Sequence, residues 1–370
     1  MKKCCSIDLS VLNTRFPTGV SRYTALVAKG LLLLSQDAIG WFTTGTIDPL
    51  LDEIQAGGAL CKSINHLPFE FPVHNLEETS KQLSAILEIE EIDAHFSPYY
   101  PYLAQTRYPC FLTIFDLLPL RHPEWFSNEK VRSFFDGPMR QSAGRTAHIF
   151  AISEATRQDI HEIYGIPLDR ITVTHLAPTI APSIMGAKTP LIPEPYFLCV
   201  GTLEPRKNLE RTVMAFEQFV GEHPDSEHRL MLVGAYGWKS GSLLRRIEQL
   251  GHRVCMMGYL SDQQLATCYL HADTVLFASL AEGFGLPVIE AIECGVPVVT
   301  SRLSSMPEVG GDIAIYCNPL DAESICDAME RSLDPAVRQR VKDLTAAHLS
   351  SFSWEKTASI TFEKICAIAC

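Results

Sequence analysis

Short apolar runs rich in β-branched residues alternate along this chain with longer stretches in which apolar residues recur every three or four positions. Runs of the first kind read as strands buried on both faces. Stretches of the second kind read as amphipathic helices laid over them, so the chain has the pattern of an α/β protein with mainly parallel sheets. Two series of strands can be read. The first is "KKCCSIDLSVL", "AIGWFTTG", "LCKSINHL", "IDAHFSPYY", "CFLTIFDLL", "AHIFAIS" and "RITVTHLAP", with helices expected at 20–35 and 76–90 between them. The second opens at "YFLCVGTLE" and continues through "RLMLVGAYG", "VCMMGYL", "TVLFASL", "VPVVTS" and "IAIYCNP". Between the series, residues 177–195 hold five prolines and keep neither period. The expected organisation is a first Rossmann-like domain over 1–180, a linker over 181–195 and a second Rossmann-like domain over 196–351.

Composition agrees with two domains: 370 residues, 46% hydrophobic and 20% charged, can bury large cores. A formal net charge of -12 argues against a protein that coats nucleic acid, so any anion site must be local. The twelve cysteines are scattered with no C-x-x-C, which fits reduced thiols and a cytoplasmic protein. The start, "MKKCCSIDLS", meets Ser6 and Asp8 before a signal-peptide core develops, and no apolar run reaches the ~18 residues of a membrane span.

Candidate chemistry gathers in the second domain. In "LAEGFGLPVIEAIECGVPVVTS", residues 280–301, two carboxylates flank a glycine-rich turn between a strand and a helix that Pro287 is suited to open. Gly283 and Gly285 let backbone approach a ligand closely, and the amides of the helix start suit phosphate. Glu282 would stand at the lip of a ligand cleft, and Glu290, one turn into the helix, would reach a diol such as ribose. Spacing alone equally allows two solvent-facing glutamates around a plain turn. A second stretch, "VGTLEPRKNLERTVMAF", sets Gly201 and Thr202 at a strand end, Arg206 and Lys207 in the loop and Asn208 at an expected N-cap. Adjacent cations at a strand exit suit a diphosphate, the arginine as a fork and the lysine as a point charge, although one such dipeptide can also be a solvated pair.

"GTLEPRKN", "SLAEGFGLPVIEAIECGVPVVTS" and "EVGGDIAIYCNP" resemble the donor domain of retaining glycosyltransferases of family 4, which have the GT-B fold and include bacterial mannosyltransferases of surface-polysaccharide and O-antigen synthesis. In the first domain, "TGVSRYT" with Gly19 resembles the family's loop near the donor diphosphate, and "TIFDLLPLRHPE" resembles its acceptor-side segment. "FSWEKTA" resembles the start of a final helix, so 352–370 are expected to cross back onto the first domain. The resemblance implies that Arg206 and Lys207 hold the leaving diphosphate and that Glu282 contacts donor-sugar hydroxyls. It further implies that the amides around Phe284, Gly285 and Leu286 meet sugar and phosphate, that Glu290 holds the ribose, and that Asp262 lies near the base, where it would accept from guanine. Asp262 fits a helix N-cap equally well. Relatives often carry His-Asp where this chain has Phe115-Asp116; Asp116 then remains for acceptor or sugar positioning, and His122 is a candidate substitute for the missing histidine.

No D-x-D occurs, and no complete G-x-G-x-x-G or Walker lysine loop. Neutralisation of the leaving diphosphate is therefore expected from side-chain cations and helix amides, with no metal or other cofactor. The resulting expectation is a retaining hexosyltransferase that moves mannose from GDP-mannose to a glycan or lipid-linked glycan. Peripheral contact with the inner membrane face would use Arg15, Arg22, Arg121, Trp125, Lys130 and Arg132, unless Trp125, Phe134 and Phe135 are core residues. A UDP-sugar donor, or a nucleotide-sugar-binding protein without catalysis, are the alternatives.

Overall fold

A computed structural model describes residues 5–12, 18–34, 39–43, 64–67, 81, 84–85, 93–99, 108–126, 128–180, 187–235 and 241–369. The helix expected at 76–90 falls mostly outside them. The chain divides into two compact units, Met1–Leu176 with Phe352–Cys370, and Ala177–Ser351.

In the first unit, β1 (Cys5–Asp8), β2 (Ile39–Thr43), β3 (Ile64–Leu67), β4 (Ala94–Ser97), β5 (Cys110–Ile114), β6 (His148–Ala151) and β7 (Ile171–Val173) form a seven-stranded sheet in the order β3-β2-β1-β4-β5-β6-β7. In the second, β8 (Tyr196–Val200), β9 (Arg229–Val233), β10 (Val254–Gly258), β11 (Thr274–Phe277), β12 (Val298–Ser301) and β13 (Ile315–Cys317) form a six-stranded sheet in the order β10-β9-β8-β11-β12-β13. Every pairing is parallel. Each strand lies within one of the apolar runs read from the sequence. Strands β4, β6, β11 and β12 are buried at every position, which is why they read as continuous rather than alternating runs.

Both sheets turn back on themselves beside their first strand: the chain builds outward from β1 to β3, then returns to place β4 on the other side, and does the same around β8. At such a switch point the loops leaving the two central strands diverge to opposite faces, opening a crevice at their carboxyl ends. In the second unit those loops follow β8 and β11, and they carry "GTLEPRKN" and "SLAEGFG".

The last helix, Trp354–Ala369, packs on the Gly19–Leu34 helix of the first unit. Contact is so close at Gly30 that a Cβ there would lie 2.4 Å from Cβ of Ala358. Thr357 donates its hydroxyl to the carbonyl of His175, and Trp354 meets the buried Tyr23 ring at 6.1 Å between centroids. Residues 187–195, read from their prolines as linker, pack on the second unit: Ala187 N donates to Thr267 Oγ1 at 2.9 Å, and Arg229 pairs with Glu194.

Candidate active site

The loop after β8 is shaped by residues in the left-handed half of backbone space. Gly201 has φ 139° and Gly234, at the end of β9, has φ 143°. A Cβ on Gly234 would lie 2.2 Å from the Gly201 carbonyl oxygen, and one on Gly201 would lie 3.1 Å from Cε of Lys207. Glycine at 201 thus leaves the volume that the Lys207 side chain fills. A single 3-10 turn over Pro205–Lys207 follows, ended by Asn208 at φ 57°. Asn208 does occupy the N-cap position of the Leu209–Glu222 helix, but its side chain does not cap it. Its amide donates instead to the carbonyls of Ala278, at 3.0 Å, and Pro319, at 2.6 Å. Together with Leu280 N donating to Arg206 O at 2.8 Å, this pins the loop after β8 to the loop after β11.

Those two loops bring four charged side chains together. Lys207 Nζ lies 2.7 Å from Glu282 Oε1, and Arg206 Nη1 pairs with Glu282 Oε2. Arg206 Nη2 lies 2.5 Å from Oε1 of Glu204, an acid absent from the sequence-based site. Glu204 and Glu282 are 9% and 7% exposed, so these are largely desolvated ion pairs. Burial alone would push the Glu282 carboxyl up, but Lys207 and Arg206 outweigh it and hold the group below the usual carboxylate range. Burial draws the Lys207 ammonium below its ordinary value even with Glu282 opposing. Lys207 Nζ also stands 4.6 Å from the centre of the Phe277 ring, at the end of β11.

The turn beyond Glu282 is held from beneath. Ser304 and Ser305 donate to the Glu282 carbonyl at 2.6 and 3.0 Å, and Ser305 also reaches the Phe284 carbonyl at 2.7 Å. Gly285, at φ 113°, occupies the N-cap position of the Leu286–Glu293 helix, and Pro287 sits in its first turn. The Phe284 side chain is buried, so only its backbone can serve a ligand. Glu290 lies inside the helix, where Oε1 accepts from Thr179 Oγ1 and Oε2 from Tyr269, each at 2.8 Å. Neither partner was legible as such in the sequence.

The remaining candidates are placed as follows. Asp262 is half-buried at the start of the Asp262–His271 helix, but Ser261 is its cap: Ser261 and Gln264 exchange side chain and backbone in a capping box. Thr202 is half-buried in the loop after β8, its carbonyl accepting from Glu204 N at 2.9 Å. In the first unit, Gly19 is exposed at the start of its helix, behind Thr18. Asp116 Oδ1 accepts from Leu118 N at 3.1 Å, ordering the turn after β5, and Phe115 packs edge-on against Tyr23 at 5.0 Å. His122 stacks on Trp125 at 4.0 Å, with Nδ1 3.4 Å from Glu124 Oε1.

Of the basic set assigned to a membrane face, Arg15 lies outside the described residues. Arg22 is half-buried, Lys130 and Arg132 are exposed, and Arg121 is bound by Asp159 and Glu162 at 2.5 Å each. Phe134 and Phe135 pack against the core of the first unit. Among the described residues no helix is long and apolar enough to cross a membrane.

Residues 194–334, which contain all four clustered charges, match the family model described as glycosyl transferases group 1. The chain is 29% identical over 365 residues to the O-antigen chain mannosyltransferase B of Escherichia coli, covering 93% of this chain and 94% of that protein. It is 28% identical over 330 residues to the serotype-specific mannosyltransferase WbdA of Escherichia coli, covering 82% of this chain but only 40% of that protein. Among solved structures, a glycosyltransferase from Rickettsia africae ESF-5 superposes with a TM-score of 0.73 at 17% identity over 99% of this chain and 98% of that one. Anabaena Alr3699/HepE in complex with UDP and glucose gives 0.72 at 16% identity over 99% and 100%. The chain thus has two parallel-sheet domains folded as in GT-B glycosyltransferases, and carries a glycosyl transferases group 1 domain at 194–334.

Proposed function

We propose that the chain transfers mannose from GDP-mannose, with retention of configuration, to a hydroxyl of a growing surface polysaccharide such as a lipid-linked O-antigen glycan. The observation that carries the reading is the meeting of Arg206, Lys207 and Glu282 at the switch point of the second sheet, two cations and a carboxylate with 2.7 Å between Lys207 Nζ and Glu282 Oε1. Fixed cations there would stabilise the negative charge that grows on the diphosphate as the sugar–phosphate bond breaks. Glu282 would accept from sugar hydroxyls, the backbone of 283–286 would line sugar and phosphate, and Glu290, already aimed by Tyr269 and Thr179, would hold the ribose. Asp262 would accept from the guanine edge. Asp116 and His122 are the acceptor-side candidates, and no metal is required. The choice of mannose is supported by the relatives named mannosyltransferases, one of which this chain matches along 94% of its length.

Turnover measured across a panel of GDP- and UDP-sugars tests the assignment, with release of nucleoside diphosphate as the readout. GDP-mannose should be consumed fastest, and GDP should raise the melting temperature more than UDP, because a ligand that binds only the native state stabilises it by mass action. Preference for a UDP-sugar in both assays would overturn the donor assignment, and tight nucleotide binding without turnover of any donor would overturn catalysis.

A further inference from the structure

The four clustered groups carry two formal positive charges, on Arg206 and Lys207, and two formal negative ones, on Glu204 and Glu282, so the local sum is zero. That is an unexpected setting for a diphosphate. An approaching anion meets cations already paired with carboxylates, and those carboxylates repel it. We propose that Glu204 and Glu282 form a built-in counterion that masks Arg206 and Lys207, so that a diphosphate gains both cations only when the sugar it carries draws Glu282 away. In this arrangement Glu204 is a positioning residue that lowers the site's hold on a diphosphate, and Glu282 makes the distinction between intact donor and bare diphosphate.

The two acids are held differently, which decides their parts. Glu204 sits two residues before Arg206 on the same short turn and bonds the guanidinium through Nη2 at 2.5 Å, so its grip is local and persists through the cycle. Glu282 comes from the other loop and bridges both cations, taking Arg206 through one oxygen and Lys207 through the other. An incoming diphosphate competes for the donors that face Glu282. Once displaced, that carboxylate is buried and charged, and it is stranded unless new donors reach it. Hexose hydroxyls supply the missing donors; inorganic pyrophosphate, or a nucleoside diphosphate after transfer, does not. The site would then bind the intact donor and let go of the spent nucleotide, with Glu204 preventing Arg206 from retaining it.

This rests on the proposed role of Arg206 and Lys207 as the diphosphate clamp, and the experiment separates the two. Binding of inorganic pyrophosphate, measured by calorimetry in EDTA, is compared among wild type, Glu204→Gln, Glu204→Asp, Glu282→Gln and Arg206→Ala, each checked for a cooperative melt. Glu204→Gln leaves the cluster with one net positive charge and should bind pyrophosphate on the order of tenfold more tightly. Inhibition of turnover by the nucleoside diphosphate should rise by a similar factor. Glu282→Gln should also tighten pyrophosphate binding, whereas Glu204→Asp, which keeps the charge, should stay near wild type. A residue with a merely structural role would weaken all ligands together. Equal or weaker pyrophosphate binding in either folded glutamine variant overturns the counterion. Unchanged pyrophosphate binding in Arg206→Ala would instead show that the diphosphate clamp itself is wrongly assigned.

Discussion

The hydroxyl of Tyr269 donates to Glu290 Oε2 at 2.8 Å, across the 21 residues that separate the two in sequence. With Thr179 on the other oxygen, the Glu290 carboxylate is held from both sides. Deleting one bond to a buried carboxylate leaves it under-satisfied, so Tyr269→Phe should cost ~1–3 kcal/mol in urea unfolding. Glu290→Ala should chiefly weaken nucleotide binding. Calorimetry with GDP checks this, and an affinity equal to wild type would remove Glu290 from the nucleotide site.

On the proposed role of Arg206 and Lys207 as the diphosphate clamp, Arg206→Ala and Lys207→Ala should each slow transfer by about 10², the loss of a charge-assisted contact that would strengthen as the diphosphate departs. The double variant should lose less than the product of the two, because both cations act on one group and already share Glu282. Additive losses would place the two side chains on different parts of the substrate.

Turnover should persist in EDTA. The proposed clamp uses side-chain cations in place of a metal, so added magnesium should rescue neither cation variant. Activity abolished by chelation and restored by a divalent ion would show that the diphosphate is neutralised in another way.

The glycines differ in what they tolerate. At Gly234 a Cβ meets backbone, 2.2 Å from the Gly201 oxygen, at a φ that L-residues avoid. At Gly285 it meets the terminal methyl of Met306 at 2.7 Å, a flexible side-chain end. Gly234→Ala should therefore destabilise by more than the ~1–3 kcal/mol of backbone strain expected for Gly285→Ala. Paired denaturation curves decide it, and the opposite ranking would mean that the loop after β8 can shift to make room.

Acid should weaken the first unit through His95. Its ring is buried, with Nδ1 2.7 Å from Ser6 Oγ and Nε2 3.2 Å from Ser97 Oγ, and burial pushes it down from 6.5 to about 4. The unfolded chain takes up the proton near pH 6.5 and the folded chain only near pH 4, so stability is intact above pH 6.5 and falls as the pH drops between these values, by up to ~3 kcal/mol. His148, pushed down to about 4 mainly by burial, acts in the same sense. His95→Gln should flatten the stability profile over that range; a slope equal to wild type would count against it.

The strands are legible in the sequence because parallel strands buried on both faces cannot avoid reading as apolar runs. Arg206, Lys207 and Glu282 stand out in the sequence through the family resemblance, since glycine beside charge at a strand exit equally suits a solvated turn, and the fold then brings the three together. Glu204 does not, although it lies in the same motif: an acid two residues from an arginine reads as loop polarity until the fold buries it. Thr179 is 111 residues from Glu290, and no local pattern announces such a partnership. At the Asp262 helix two adjacent residues can each cap, and the answer turns on the Gln264 side chain reaching back to Ser261 N at 3.0 Å. Asn208 shows the converse, a residue at the expected position whose side chain is used to fasten two loops.

The packing of Trp354–Ala369 on Gly19–Leu34 has a consequence for how the molecule is made. The Ala177–Ser351 unit is one uninterrupted stretch, and all its partners are available once it has left the ribosome. The first unit, synthesised earlier, must wait through that whole stretch for the helix that covers its own, and Gly30 stays uncovered until Ala358 arrives. The domain begun first is thus the one finished last, and during synthesis it is the older half of the chain that presents apolar surface to chaperones and proteases.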